Sequence, residues 1–456
     1  MKPSLRTLSV LFLIAMASCA PRPEAPIVIT ASLAIQQLRL ANGLVIVLDP
    51  DATATSALVH VRYHVGAKDD PIGRAGLAHL VEHLTFEAAP RAGDLDRYAS
   101  LERIGAVDIN GATSFDYTDY HATVPPSVLA YALWVEASRM AHALGGIDEE
   151  ALRRELAVVN NELRTRASSH AYRLANLLVA ETLFGKSHPY GRIVNMARGQ
   201  IDDVALAELV KFAALHYQPS NATLVVSGRF DIAETTRLVT RCFGDIRSRA
   251  SPPRDVLPAP RLARDELATF GAPVRARELA IGWLLPPPET DGYDEIVLAA
   301  RVMRYEMVAR LMTELRLVDD VQVELRSGHL GSMLVVAAKL RDGASPERTT
   351  SEINRVMSRV ASLGRTYEWD QFGQVRLALA TSVIAALESP AGRASGIQHD
   401  LEYAGAVRST VADVARVQAL QPANVGGAVQ QFIVEARRAV VVLEPDPAAP
   451  LSGARR

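Results

Sequence analysis

The chain has 456 residues, 49% hydrophobic and 22% charged, a globular composition with ample core and too long for one ordinary domain. Its 49 basic and 51 acidic residues leave a net charge of −2, so charge gives no reason to expect a nucleic-acid partner or attraction to a membrane surface. The two cysteines, Cys19 and Cys242, cannot form a disulfide framework once Cys19 is assigned to an export signal.

Lys2 and Arg6 precede an apolar run from Leu8 to Ala17 that ends at Ser18-Cys19. A basic start, a short apolar core and small residues at its end read as a signal peptide over residues 1–18, too short to span a bilayer permanently. Met16-Ala17-Ser18-Cys19 resembles a bacterial lipobox, which would lipidate Cys19 and anchor an exported, periplasmic chain to the membrane. A plain signal peptide is the alternative. Residues 19–34 contain Pro21, Pro23 and Pro26 and read as a tether.

Residues 35–49 give a strand, an Asn42-Gly43 turn and a second strand. A third strand, Ser56 to Val65, leads through Gly66 to the apolar stretch Gly76-Leu-Ala-His79-Leu-Val-Glu82-His83-Leu-Thr-Phe86. With no Gly or Pro after Gly76, that stretch reads as a helix. His79 and His83, four residues apart, then share one face with Glu82 beside them. Two imidazoles and a carboxylate are what a catalytic zinc site needs before its third ligand arrives, and His-x-x-Glu-His is the inverse of the commoner zinc-peptidase order.

A helix is expected over Gly93–Ile104, then strands Val107–Phe115, carrying Asn110-Gly111-Ala112-Thr113, and Thr118–Val124. A helix begins at Ser127. Asp148 caps another, whose stripe is Leu152, Leu156, Val159 and Leu163. Glu155 and Glu162 lie two turns apart beside that stripe. Carboxylates so close to a buried face are paired or metal-bound, salt bridges to Arg153 or Arg166 being the plain alternative. A strand Thr223–Gly228 and a helix ending near Cys242 close the first half, residues 35–247.

Residues 248–262 are proline-rich and read as a linker. Beyond it come a strand Ala276–Leu285, a long helix Tyr293–Leu317, strands Val321–Leu325 and Ser332–Leu340, further helices and a closing strand Ala439–Leu443. The repeated order predicts an α+β protein of two similar domains, each an antiparallel-rich sheet covered by helices, the second over 263–446 with a tail at 447–456. Only the first half carries His-x-x-Glu-His.

The ordered set of motifs resembles the pitrilysin/insulinase family of zinc peptidases, in its half-length, mitochondrial-processing-peptidase-like branch. Besides the histidine motif it includes Leu40-x-Asn42-Gly43-Leu44, Asn110-Gly-Ala-Thr113, His188-Pro-Tyr-Gly191 and Tyr217-x-Pro219-x-Asn221. The resemblance implies one Zn2+ per chain held by His79, His83 and Glu162, with Glu155 orienting a ligand. It implies Glu82 as the general base for attack of zinc-bound water on a peptide bond, and Asn110 to Thr113 as an edge strand that binds peptide substrate by β-augmentation. Relatives complete the site with an Arg and, seven residues later, a Tyr. Here Arg316 stands in the matching stretch as the remaining substrate-binding candidate, but Val323 replaces the Tyr and Asp320 replaces a glycine. The resemblance therefore implies half of a clamshell, completed by a zinc-less homologous partner chain carrying the Arg/Tyr pair or, alternatively, by a second copy. A non-catalytic core or assembly subunit is the competing function.

Overall fold

A computed structural model of the chain describes residues 35–456 apart from 90–94, 170–171, 252–256 and 258–259. The expected signal, the tether and Cys19 lie outside the described residues. No helix among the described residues is long and apolar enough to cross a membrane.

The first half contributes strands β1 (Gln36–Arg39), β2 (Val45–Pro50), β3 (Ala57–Tyr63), β4 (Val107–Thr113), β5 (Thr118–Val124) and β6 (Ala222–Gly228). Its helices are α1 (Leu77–Glu87), α2 (Arg97–Arg103), α3 (Leu129–Ala141), α4 (Glu149–Ser169), α5 (Arg173–Phe184), α6 (Leu206–His216) and α7 (Ile232–Phe243). The second half has β7 (Glu266–Ala272), β8 (Glu278–Leu285), β9 (Val318–Arg326), β10 (Ser332–Leu340), β11 (Arg438–Pro445) and β12 (Ala454–Arg455). Its helices are α8 (Tyr293–Met307), α9 (Pro346–Ala361), α10 (Phe372–Ala385), α11 (Pro390–Tyr403), α12 (Thr410–Ala419) and α13 (Pro422–Val429).

The two six-stranded sheets run β1-β2-β6-β3-β5-β4 and β12-β7-β11-β8-β10-β9. Five strands of each follow one plan: adding five to each label of 2-6-3-5-4 gives 7-11-8-10-9. In both, the one parallel pair joins the strands of that plan that come first and last in the chain, β2 with β6 and β7 with β11. The α+β architecture of two similar sheets is therefore as expected. Only the outermost strand differs in origin, coming from the start of the first half and the end of the second. β7 and β12 escaped the sequence reading: β7 follows the proline-rich segment, and β12 is too short to show a period.

Local chemistry explains the first hairpin. Gly43 adopts φ 93°, and a Cβ there would come within 3.1 Å of Ser220. The Asn42 amide donates to the carbonyls of Phe243 at 2.7 Å and Ile246 at 3.1 Å, tying the turn to the end of α7. The expected long helix from Tyr293 is α-helical to Met307 and continues as a wider π turn over Val308–Glu314.

Both sheets are covered on two faces, and each borrows one cover from the other half. On the first sheet, Ile46, Leu48, Val59 and Val61 face a core built with α1 and α3. The alternate residues Val47, Leu58 and Val225 meet Ala394 and Ile397 of α11. On the second, Leu178, Val179 and Leu183 of α5 pack on Ala280, Val335 and Val441. A Cβ at Gly282 would stand 2.3 Å from Val179, so the glycine is what lets α5 lie this close. Burial on both faces accounts for β3 being buried at every residue, His60 and Arg62 included.

A polar seam runs under α11. Arg393 pairs with Asp49 at 2.7 Å, and the Arg62 guanidinium grips Asp119 with two bonds of 2.7 Å while donating to the Gln398 carbonyl at 3.1 Å. Glu402 bonds His64 at 2.7 Å and His329 at 2.6 Å. Each of these charges has a partner, as burial requires.

Candidate metal centre

Helix α1 starts where it does because Gly76, its N-cap, takes φ 103°, a conformation open to glycine. Two of its first N–H groups are satisfied by the buried Asp70 carboxylate, which accepts from Gly76 at 2.7 Å and Ala78 at 2.8 Å. At the other end the Arg97 guanidinium, fully buried, donates to the Thr85 carbonyl at 2.9 Å and to the carbonyls of His142 and Ala143 just past α3. Leu77, Leu80, Val81 and Leu84 anchor the inner face in the core. His79, Glu82 and His83 are left facing a cavity of about 970 Å³.

Helix α4 lies alongside and presents Glu155 and Glu162 on either side of the His83 ring. Nδ1 of His83 is 3.1 Å from Glu155, and Nε2 is 3.1 Å from Glu162. Nε2 of His79 is 3.7 Å from the same Glu162 oxygen. Two turns of helix separate two carboxylates by about 10 Å, enough to straddle an imidazole. Burial opposes a charge on His83, but the bonds to Glu155 and Glu162 and the nearby Glu82 outweigh it and lift its pKa to about 9. Surrounded in this way, the centre favours positive charge.

The donor set fits a small divalent cation. Tetrahedral zinc with ligands at about 2.0–2.1 Å separates them by roughly 3.3–3.4 Å, and the 3.1 and 3.7 Å spacings of the Glu162 oxygen from the two Nε2 atoms bracket that value. His79, Glu82 and His83 also bring ligand atoms within 4.8 Å of one another. The Glu155 contact is the carboxylate–histidine pairing that fixes the tautomer leaving Nε2 for a metal.

Strand β4 crosses the mouth of this centre as the outer strand of its sheet, so among the described residues one side of its backbone has no neighbouring strand. Its register shifts between Val107 and Asn110, where Asp108 has φ 52°. Bulges of this kind re-aim the residues that follow. Thr113 then donates to Glu82 at 2.6 Å. A Cβ on Gly111 would stand 2.8 Å from Phe86 and 3.2 Å from Glu82, so the strand rests directly on α1. Asn110 and Ala112 point outward, exposed. The predicted residues Asn110 to Thr113 are thus brought to the cavity together with His79, Glu82, His83, Glu155 and Glu162.

Arg316 is not brought there. It sits exposed at φ 50° in the turn before β9 and does not line the cavity. Val323 is half-buried on β9 opposite Val336, and Asp320 accepts a bond from the Tyr172 hydroxyl at 3.0 Å. The second half instead contributes Glu324, Arg326, Ser327, His399 and Tyr403 to the cavity. Arg326 pairs with Glu324 at 2.8 Å. No motif marks Arg326 or Tyr403; they reach the cavity because β9 repeats the position of β4 and α11 crosses between the sheets.

Comparison with known proteins matches residues 45–193 to the model of the insulinase (peptidase M16) family, and residues 203–369 to that of the peptidase M16 inactive domain. The chain belongs to the insulinase family. The first match contains the whole His/Glu constellation. The second covers most of the second half's sheet, where α8 occupies the place of α1 and carries no histidine. A zinc protease PqqE of Helicobacter pylori is 29% identical over 216 residues, 47% of each chain, so the match spans about half the length of that relative. The crystal structure of a protease from Helicobacter pylori superposes with a TM-score of 0.77 at 20% identity, covering 91% of this chain and 100% of the other. The periplasmic protease PqqL of Escherichia coli gives a TM-score of 0.71 at 16% identity over 90% of this chain and 48% of that one. At these identities the two structures establish the fold.

Proposed function

We propose that the chain is the zinc-bearing half of an exported endopeptidase that hydrolyses peptides or unfolded polypeptide segments. The observation that carries this reading is the convergence of His79, His83 and Glu162 beside a glutamate, Glu82, held by a strand whose outer edge is free. His79, His83 and Glu162 would hold one zinc ion, which when bound supplies a Lewis acid and lowers the pKa of a water ligand toward neutrality. Glu155 holds His83 in the ligating tautomer. The peptide pairs with the open edge of β4 by backbone hydrogen bonds, which tolerate many sequences. Glu82 takes the proton of the attacking water and passes it to the leaving amine. Its carboxylate is aimed for both transfers by the Thr113 hydroxyl.

The relatives' names, zinc protease and periplasmic protease, support both the metal and the export. The signal-like N-terminus with Cys19 supports a periplasmic, lipid-anchored placement. Since Arg316 stands away from the cavity and Val323 offers no hydroxyl, the far wall is best supplied by a second chain, a zinc-less homologue bearing an Arg/Tyr pair. Peptidase activity of the isolated chain equal to that of the mixture would overturn the partner assignment.

The central test is Glu82→Gln. Zinc content should stay at one per chain while peptide cleavage falls by about 10²–10⁴-fold, the usual contribution of a general base. His79→Ala should lose both. Unchanged cleavage in Glu82→Gln would refute the assigned base.

A further inference from the structure

The turn between β4 and β5, residues 114–117, is gripped from both halves of the chain. The Ser114 N–H closes it onto the Tyr117 carbonyl at 2.8 Å, leaving Thr113 and Thr118 opposite each other where the strands begin. From the first half, the N–H groups of Ala67 and Lys68 donate to the Ser114 and Phe115 carbonyls, each at 3.0 Å. Lys68 Nζ donates to the Asp116 carbonyl at 3.0 Å. A Cβ on Gly66 would stand 2.6 Å from the Phe115 oxygen, so only glycine admits so close an approach.

The second half takes hold through the Asp116 side chain, whose residue is 1% exposed. One carboxylate oxygen accepts the His329 N–H at 3.0 Å, and the other accepts the Tyr190 hydroxyl at 2.6 Å. That hydroxyl in turn accepts the Leu330 N–H at 3.1 Å. Burial, with Asp116 beside it, pushes the Tyr190 hydroxyl well above its usual pKa, so it stays protonated and donates. The Tyr190 ring also stacks on Phe115, 4.5 Å between centroids. A Cβ on Gly328 would stand 2.6 Å from the Tyr190 hydroxyl, a second close approach that glycine allows. The turn joining β9 to β10 is thereby pinned onto the turn joining β4 to β5.

Asp116 does not line the catalytic cavity, whereas its neighbours Ser114, Phe115 and Tyr117 do. Its effect on the centre therefore runs through the backbone. Thr113, three residues before it, donates to Glu82 at 2.6 Å. The opposite end of β4 starts at the exposed Val107 and the bulge at Asp108. The turn end is where the strand is tied to both halves at once.

We infer that Asp116 is a positioning residue: by locking the β4–β5 turn onto the second half, it fixes the end of β4 and so holds the Thr113 hydroxyl on Glu82. The inference rests on the proposed peptidase reading. A peptide paired with β4 rides with the strand, so releasing the turn disturbs its alignment to Glu82 more than its binding. A carboxylate that only stabilised the contact between the halves would lower the melting temperature and leave turnover per folded molecule untouched.

The test uses the full chain loaded with zinc and reads kcat, KM, zinc content, melting and amide hydrogen exchange. Asp116→Asn keeps the shape but turns an NH2 toward one of the two donors. Its kcat per folded, zinc-loaded molecule should fall by about 10–10²-fold, the scale of an ångström's misplacement, with KM little changed. Tyr190→Phe, which removes one hydroxyl, should act in the same direction and less, and it carries the same tests if Asp116→Asn fails to fold. In a Thr113→Val background, which already lacks the bond to Glu82, Asp116→Asn should cost much less than it does alone. Unchanged kcat per folded molecule would reduce Asp116 to a structural role, and effects that simply multiply with Thr113→Val would refute the route through Glu82. Hydrogen exchange over residues 107–113 should quicken in Asp116→Asn, with α7 as the control. If the wild type cleaves no peptide, the peptidase reading falls and exchange alone decides: quickened exchange upholds the hold of Asp116 on β4, and unchanged exchange overturns it.

Discussion

Replacing Asp70 should separate the two things its carboxylate does at the start of α1. It is buried, 5% exposed, and accepts the backbone N–H groups of Gly76 and Ala78. Burial is the largest influence on its acidity and pushes its pKa from 3.8 up to about 7, against the lowering effect of those two N–H groups. Between about pH 4 and 7 the folded chain therefore keeps a proton that the unfolded chain has released, so stability falls as pH rises through that window. A shift of about three units corresponds to about 4 kcal/mol. Asn at this position is neutral at every pH but offers one acceptor and turns an NH2 toward the second donor, a loss of about 1–3 kcal/mol. Ala abandons both donors and should lose about 2–4 kcal/mol at all but the highest pH. Urea unfolding of the zinc-saturated proteins from pH 5 to 8 measures this. The proposed zinc ligands are the same in all three proteins, so differences between them isolate Asp70. Asp70→Asn should be less stable than wild type at pH 5, with the gap closing or reversing by pH 8. A gap constant across that range would refute the account.

Gly111→Val should force β4 off α1, because its Cβ alone would meet Phe86 at 2.8 Å and Glu82 at 3.2 Å. Cleavage should fall by up to about 10²-fold with zinc content intact, as expected when a base is displaced by a fraction of an ångström to an ångström. Full activity would show that the base does not depend on the strand's position. Glu402→Gln removes the charge shared by His64 and His329. Burial opposes ionisation of Glu402, but its bonds to His329 and His64 hold its pKa well below the usual carboxylate value. The stability it supplies is present above about pH 4.5 and lost as pH falls, so wild type should weaken on acidification more steeply than the variant. At pH 7 the variant should be less stable by about 3–5 kcal/mol, the cost of breaking a buried charged network; equal denaturation midpoints would contradict this.

The helix carrying His79, Glu82 and His83 was legible because its signal is local. Four-residue spacing puts His79 and His83 on one face whatever the rest of the chain does, and the apolar neighbours already say which face is buried. The repeat of strands was legible for the same reason, since each strand's period is contained within it, and Asn42-Gly43 names its own turn. Glu155 and Glu162 were intermediate: their spacing showed a shared helix side, and only the resemblance assigned them to the metal.

What the tertiary structure alone decided is where distant segments meet. The exchange of α5 and α11 between the two sheets leaves no periodic mark, because a helix with an apolar face does not specify which sheet will cover it. Arg316 sits outside the cavity while Arg326 and Tyr403 enter it, an outcome set by the register of β9 and the path of α11. Thr113 reaches Glu82 only because a bulge at Asp108 turns β4 and Gly111 lets it rest on α1. By itself the sequence determined the chemistry each segment can perform, through residue type and short-range spacing. The tertiary structure decided which of those groups share a cavity, because contacts between residues far apart in the chain depend on packing that no local period encodes.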